Sequence, residues 1–127
     1  MQLSRLIFIP LIFSALLDGM ANAQDWPDLN HYRQANNIKI ILASILPAQS
    51  FSWKPDLRPA ADILALNQLI QSYSRSEGLV FLDYHSAMVN DQNGLAKSLT
   101  KDGVHPNRAG YEIMEALAEE ALAKAKR

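Results

Sequence analysis

The sequence predicts an α/β domain built on an incomplete parallel sheet. Three observations carry that reading. Apolar and helical segments follow one another as strand, helix, strand, helix, the order of a βαβ unit with one further helix. The first strand segment, Ile38 to Leu46 (IKIILASIL), is almost continuously apolar and rich in isoleucine, the pattern of a parallel strand covered on both faces. Only two such strands are evident, too few for an independently stable sheet, so the chain reads as part of an α/β domain. Its open sheet edges invite pairing with other chains, including self-association.

Each element has its own local reason. Gln24 to Asn36 (QDWPDLNHYRQAN) is polar, with Trp26, Leu29 and Tyr32 at intervals of three. It suits a short helix or turn capped near Asp25, with Pro27 in the first turn. After the Ile38–Leu46 strand, Pro47 to Pro59 holds three prolines and is a loop. Ala60 to Ser76 is helical by period: Ile63, Leu66, Ile70 and Tyr73 recur at three and four, and Gly78 follows the end. Leu79 to Asp83 is a second short strand, reached by a right-handed crossover. Asn90 to Gly94 is a turn by composition. Asn107 to Lys126 is an amphipathic helix with Tyr111, Met114, Leu117 and Leu122 on one side. Its acids sit early and Lys124, Lys126 and Arg127 sit late, as the helix dipole prefers. There is no internal repeat and no sign of a second domain.

Composition narrows the function classes. With 127 residues, 12 basic against 13 acidic and a net charge of −1, the chain has no electrostatic footprint for nucleic acid. It contains no cysteine, which excludes disulfides, thiolate metal sites and a cysteine nucleophile. Residues 1–23 read as a secretory signal peptide: Arg5, then an apolar run from Leu6 to Leu17, then the A-x-A site Ala21-Asn22-Ala23. The run falls short of the about 20 residues that a membrane span needs. The expected product is residues 24–127, secreted or periplasmic, with no stable membrane insertion after cleavage.

The sharpest chemical signal is Asp102-Gly103-Val104-His105-Pro106-Asn107. An aspartate three residues before a histidine, in a loop entering a helix, can aim both side chains at one cleft. A carboxylate that fixes the imidazole tautomer is the supporting half of a nucleophilic triad. The same spacing also occurs in helix-capping loops. Other candidates are weaker. Ser44 lies in a strand pattern, and Ser50 and Ser52 lack the tight turn that exposes a nucleophilic serine. Trp53 suits either a cleft lining or partial core packing. Asp83 and His85 follow a strand end, where ligands of α/β sheets bind, and suit a local hydrogen bond. His31 lies in a polar stretch.

The longer string D-G-V-H-P-N-R-A-G-Y closely resembles the C-terminal block of the SGNH (GDSL-type) ester hydrolases. The resemblance runs back through KIILASILPAQSFSWKP, ALNQLIQSYSRSEGLVFLDYHSAM and NGLAKSLTKDGVHPN, covering about Asn37 to Arg127. Gln24 to Asn36 resembles the first mature residues of secreted members. The resemblance implies a flavodoxin-like three-layer α/β/α fold and hydrolysis of a short acyl or acetyl ester, on carbohydrate or lipid, with no metal or other cofactor. It assigns His105 as general base and Asp102 as its orienting partner. Yet no Gly-Asp-Ser occurs, and neither the oxyanion glycine block nor a G-x-N-D block is recognisable. The sequence passes at Asn36/Asn37 from the family's lead straight into its second half. A chain lacking nucleophile and oxyanion hole is expected to be inactive alone. The alternatives are a non-catalytic remnant and a secreted binding module using Trp53 and the proline-rich loop.

Overall fold

The structure is a computed structural model, which describes residues 6–7 and 38–127. Three parallel strands form one sheet in the order β1-β2-β3: β1 (Leu6–Ile7), β2 (Lys39–Ala43) and β3 (Val80–Leu82). Helix α1 (Ala60–Ser76) connects β2 to β3. One-turn helix α2 (Tyr84–Met88), a 3₁₀ turn (Lys97–Leu99) and helix α3 (Arg108–Ala125) complete the chain. The strands at β2 and β3 and both long helices are those the sequence predicts; α2 is an addition. β1 is also additional, a two-residue pairing of Leu6 with Lys39 and Ile7 with Ile40. It falls within the segment read as a signal peptide. The remainder of that segment, the Gln24–Asn36 stretch with His31, and the Asn36/Asn37 junction lie outside the described residues.

β2 is covered on both faces because its side chains alternate between two cores. Ile40 and Leu42, with Ile38 just before the strand, pack on Ile70, Leu66 and Tyr73 of α1. Ile41 and Ala43 face the other way, toward Ala121, Ala125, Leu117 and Met114 of α3. β3 repeats the division: Phe81 joins the α1 side and Leu82 the α3 side. Helix, sheet and helix therefore form the three layers of an α/β/α fold, with the sheet incomplete. Ile70 is fully buried, and a side chain of that size contributes about 2 kcal/mol through removal from water.

Polar ties fix the strand ends. Beyond β2 the Asn67 amide mimics a neighbouring strand: its Oδ1 accepts from the Ile45 N–H at 2.7 Å and its Nδ2 donates to the Ile45 carbonyl at 3.0 Å. One residue earlier the Ser44 N–H donates to the Leu82 carbonyl, extending the β2–β3 ladder. The Asn90–Gly94 turn closes around Asn90, whose Oδ1 accepts from Gln92 and Gly94 N–H groups.

Helix α3 meets the 3₁₀ turn closely. A Cβ on Gly110 would lie 2.9 Å from the Leu99 carbonyl oxygen and 2.9 Å from Pro106 Cβ. Close contact there sets the rotation of the first turn. Tyr111, roughly 100° further round the helix, is consequently exposed and does not join the apolar face that the periodicity assigned it.

Candidate active site

The segment from Thr100 to Asn107 is a closed loop. Thr100 and Pro106 form an antiparallel bridge across its neck. Asn107 locks the exit three ways: its N–H donates to the Leu99 carbonyl (2.7 Å), its Nδ2 to the Ser98 carbonyl (2.9 Å), and its Oδ1 accepts from the Gly110 N–H (3.1 Å). The last bond is an N-cap for α3. Inside the loop the Thr100 hydroxyl donates to the His105 carbonyl (2.8 Å) and accepts from the Gly103 N–H (3.0 Å). Gly103 has φ +83°, a conformation that glycine adopts without steric cost.

This closure folds His105 back onto Asp102. Asp102 Oδ1 accepts from the backbone N–H of Val104 (3.0 Å) and of His105 (2.8 Å). Its Oδ2 lies 2.6 Å from His105 Nδ1. The imidazole bond, with the two backbone donors behind it, holds the Asp102 carboxyl well below the usual carboxylate range. An ionised acceptor at Nδ1 favours the tautomer with its proton there and leaves the Nε2 lone pair to accept another. Both side chains are accessible, His105 at 73% and Asp102 at 44%. They border a shallow open cleft with Asn107, Arg108 and Glu112. An imidazole so oriented can act as a general base toward a hydroxyl brought to Nε2.

The proline-rich loop reaches the same place. Trp53 stacks on Phe51, with centroids 5.0 Å apart and rings 19° from parallel. The Trp53 ring also lies 6.5 Å from the His105 ring, tilted 38° to it. Trp53 is 64% exposed, which removes the core-packing alternative. Ser50 and Ser52 border a second cleft, which also includes Asp102.

The remaining sequence candidates do not join the pair. Ser44 is buried and its Oγ accepts from the His85 N–H at 2.8 Å, so it is a satisfied structural hydroxyl. Asp83 caps α2, giving one oxygen to the Ser86 N–H and the other to the Ser86 hydroxyl. His85 turns inward. Among the described residues no three of His, Asp and Glu gather as a metal-binding group, and no helix is long and apolar enough to cross a membrane. Thr100 and Phe51 were not singled out by sequence reasoning. Thr100 carried a usable signal, a hydroxyl residue opening a D-G turn; Phe51 carried none.

Comparison with known proteins decides what this geometry belongs to. The profile of the GDSL-like lipase/acylhydrolase family matches residues 20–113. The chain belongs to that family. Two solved structures of GDSL-like relatives are similar to it. A GDSL-like lipase from Bacteroides thetaiotaomicron shares 40% identity over 76% of this chain and 48% of its own, with a TM-score of 0.70. A protein from Bacteroides fragilis assigned as an acylhydrolase shares 39% identity over 78% of this chain and 49% of its own, with a TM-score of 0.71. The esterase domain of a zebrafish retrotransposon ORF1 protein, 21% identical over 76% of this chain and 53% of its own (TM-score 0.58), supports the fold alone. No curated protein matches the chain. The chain thus spans about half the length of these GDSL-like relatives, a coverage that fits the C-terminal half of the GDSL-like fold.

Proposed function

We propose that this GDSL-like chain carries the aspartate–histidine half of an exported serine ester hydrolase and requires a nucleophile supplied from elsewhere. The observation that carries the reading is the 2.6 Å contact between Asp102 Oδ2 and His105 Nδ1 in an accessible, rigidly closed loop. In this reading His105 Nε2 takes the proton of a serine hydroxyl as its oxygen bonds to the ester carbonyl carbon. It then returns that proton to the departing alkoxide as the ester C–O bond breaks, and water repeats the cycle on the acyl-serine. Asp102 holds the ring and offsets the imidazolium charge. The substrate is a short acyl ester.

The absence of Gly-Asp-Ser from the sequence is what supports the need for a complement. Oxyanion stabilisation is often the largest catalytic contribution, with one donor worth about 10²–10³ in rate. Loss of both nucleophile and oxyanion hole leaves the pair without a covalent route. The open sheet edges are where a complementing half, or a second copy, would pair.

The test is hydrolysis of p-nitrophenyl acetate by the purified chain, alone and mixed with the separately produced first half of the Bacteroides thetaiotaomicron GDSL-like lipase. His105→Ala is the control. The expected result is no His105-dependent turnover alone and His105-dependent turnover in the mixture. Turnover by the chain alone that vanishes in the control would overturn the missing nucleophile. A mixture that associates by sedimentation yet stays inert would overturn the role of the pair.

A further inference from the structure

A local pair is only as well aimed as the loop that carries it. Asp102 Oδ1 takes the Val104 and His105 N–H groups, and Oδ2 takes the His105 ring. All of these bonds run within residues 102–105, so none ties the pair to the rest of the fold. Thr100 supplies such a tie. It follows Leu99, which is buried in the core with Met88, Ala121 and Ala125. Its bridge partner is Pro106, which has no N–H, so backbone bonding across the neck of the loop is sparse and side-chain bonds matter more.

The Thr100 hydroxyl oxygen lies 2.8 Å from the His105 carbonyl oxygen, 3.0 Å from the Gly103 nitrogen, 3.2 Å from Asp102 Oδ1 and 3.3 Å from the Asp102 nitrogen. A hydroxyl has one proton and two lone pairs. The proton goes to the nearer acceptor, the His105 carbonyl, because Asp102 Oδ1 already accepts two N–H groups. The lone pairs take the Gly103 and Asp102 N–H groups. His105 is thereby gripped at both ends of its backbone: its N–H donates to Asp102 Oδ1 at 2.8 Å and its carbonyl accepts from Thr100 at 2.8 Å. Two such ties fix where its Cβ points, and so how the ring meets Oδ2. Thr100 itself is extended, with φ −150° and ψ 158°, and branching at its Cβ limits the hydroxyl to few rotamers. We infer that Thr100 is a positioning residue for the Asp102–His105 pair. Its hydroxyl sets the His105 ring against Asp102, keeping the ring proton on Nδ1 and leaving Nε2 able to accept another.

The assignment rests on the ester-hydrolase reading for what the imidazole does, but the tautomer is read without turnover. The full chain, labelled with nitrogen-15, is followed by long-range proton–nitrogen correlation at about pH 8.5, above the ordinary histidine range. There the protonated and unprotonated ring nitrogens give distinct shifts, and His105→Ala assigns the His105 signals. The native chain is expected to carry the His105 proton on Nδ1. Thr100→Val keeps the side-chain shape without the hydroxyl and should move the tautomer ratio roughly fivefold toward Nε2–H. Thr100→Ala, which also lacks the hydroxyl, should show the same shift. Thr100→Ser restores the hydroxyl and should stay within about twofold of the native ratio. In the complemented enzyme, Thr100→Val should lower kcat for p-nitrophenyl acetate roughly tenfold with KM within about twofold, and Thr100→Ser should recover most of the loss. Urea unfolding of each variant separates positioning from stability. A lower urea midpoint in Thr100→Val and Thr100→Ala with the native tautomer retained would make Thr100 a loop-closing residue only and overturn the assignment. A tautomer shift that persists in Thr100→Ser would overturn it too, because the hydroxyl would then not be its cause. Failure of every complement to restore turnover would remove the hydrolase reading, while the spectrum of the chain alone would still decide the role of Thr100.

Discussion

Among the described residues two aspartate–histidine pairs stand at helix entrances, and the structure treats them in opposite ways. Asp102 and His105 are three residues apart in a loop that precedes α3, and carboxylate and imidazole meet at 2.6 Å in the open. Asp83 and His85 are two apart at the start of α2. There the carboxylate is spent on the Ser86 N–H and hydroxyl, and the imidazole is driven inward to 7% exposure. Buried His85 Nε2 has no hydrogen-bond partner among the described residues. Both aspartates accept from a backbone N–H three residues on, so local capping alone does not separate them. What separates them is which residue occupies that third position. At Asp102 it is the histidine itself, so the bond that caps the loop also delivers the ring to the second oxygen. At Asp83 it is a serine, and the histidine lies one residue earlier, on the inward side of the turn. The difference teaches that one residue of spacing decides between an exposed imidazole held by a carboxylate and a buried structural ring.

The comparison breaks most visibly in catalysis. In the complemented enzyme, His105→Ala should lower kcat for p-nitrophenyl acetate by at least about 10³-fold, and Asp102→Asn by roughly 10²–10⁴-fold, read as initial rates. If either loss were under tenfold, the exposed pair would be only a capping loop like Asp83.

Rigidity of the exposed loop is the next point of attack. Gly110→Ala forces a Cβ within 2.9 Å of the Leu99 carbonyl and of Pro106. Overpacking of that kind costs about 1–3 kcal/mol, seen as a lower urea midpoint with unchanged slope. Asn107→Ala removes the α3 cap and the tie to Ser98 together, and should cost about 1 kcal/mol in the same measurement.

Much of this organisation was legible in the sequence, for identifiable reasons. The isoleucine run of β2 announces burial on both faces, because only a two-sided strand tolerates apolar residues at consecutive positions. Ala60–Ser76 is legible because its period is clean and glycine follows it. Asp102 and His105 are legible because the contact is local, made within three residues. Trp53 is different: its approach to His105 joins segments some fifty positions apart, and no local pattern encodes that. Nor does composition distinguish Asp83–His85 from Asp102–His105, since His85 is buried at a place where its backbone N–H meets the Ser44 hydroxyl across the strand ends. Tyr111 was misplaced because periodicity ignores how the close approach at Gly110 sets the helix rotation.

The smallest expected effect is a dependence of stability on pH, and it also tells the two pairs apart. Burial lowers the pKa of His85, against a weaker opposing pull from the Asp83 charge. A histidine whose folded pKa lies below its unfolded value binds fewer protons when folded. Its neutral form therefore stabilises the fold fully above an unfolded pKa of about 6.5, and that contribution is lost as pH falls below it. Asp102 also has a depressed pKa, yet as a carboxylate it titrates elsewhere: its contribution is present above an unfolded value near about 3.9 and is lost only in stronger acid. Lowering the pH from about 7.5 to 5.5 should thus reduce the thermal midpoint through His85 while leaving the Asp102 contact intact. His85→Gln should flatten that slope; Asp102→Asn should not, and should instead flatten the fall seen below about pH 4. A slope between pH 7.5 and 5.5, scanned about the histidine range, that survives His85→Gln would mean that the buried imidazole is not the group that distinguishes the inner pair from the outer.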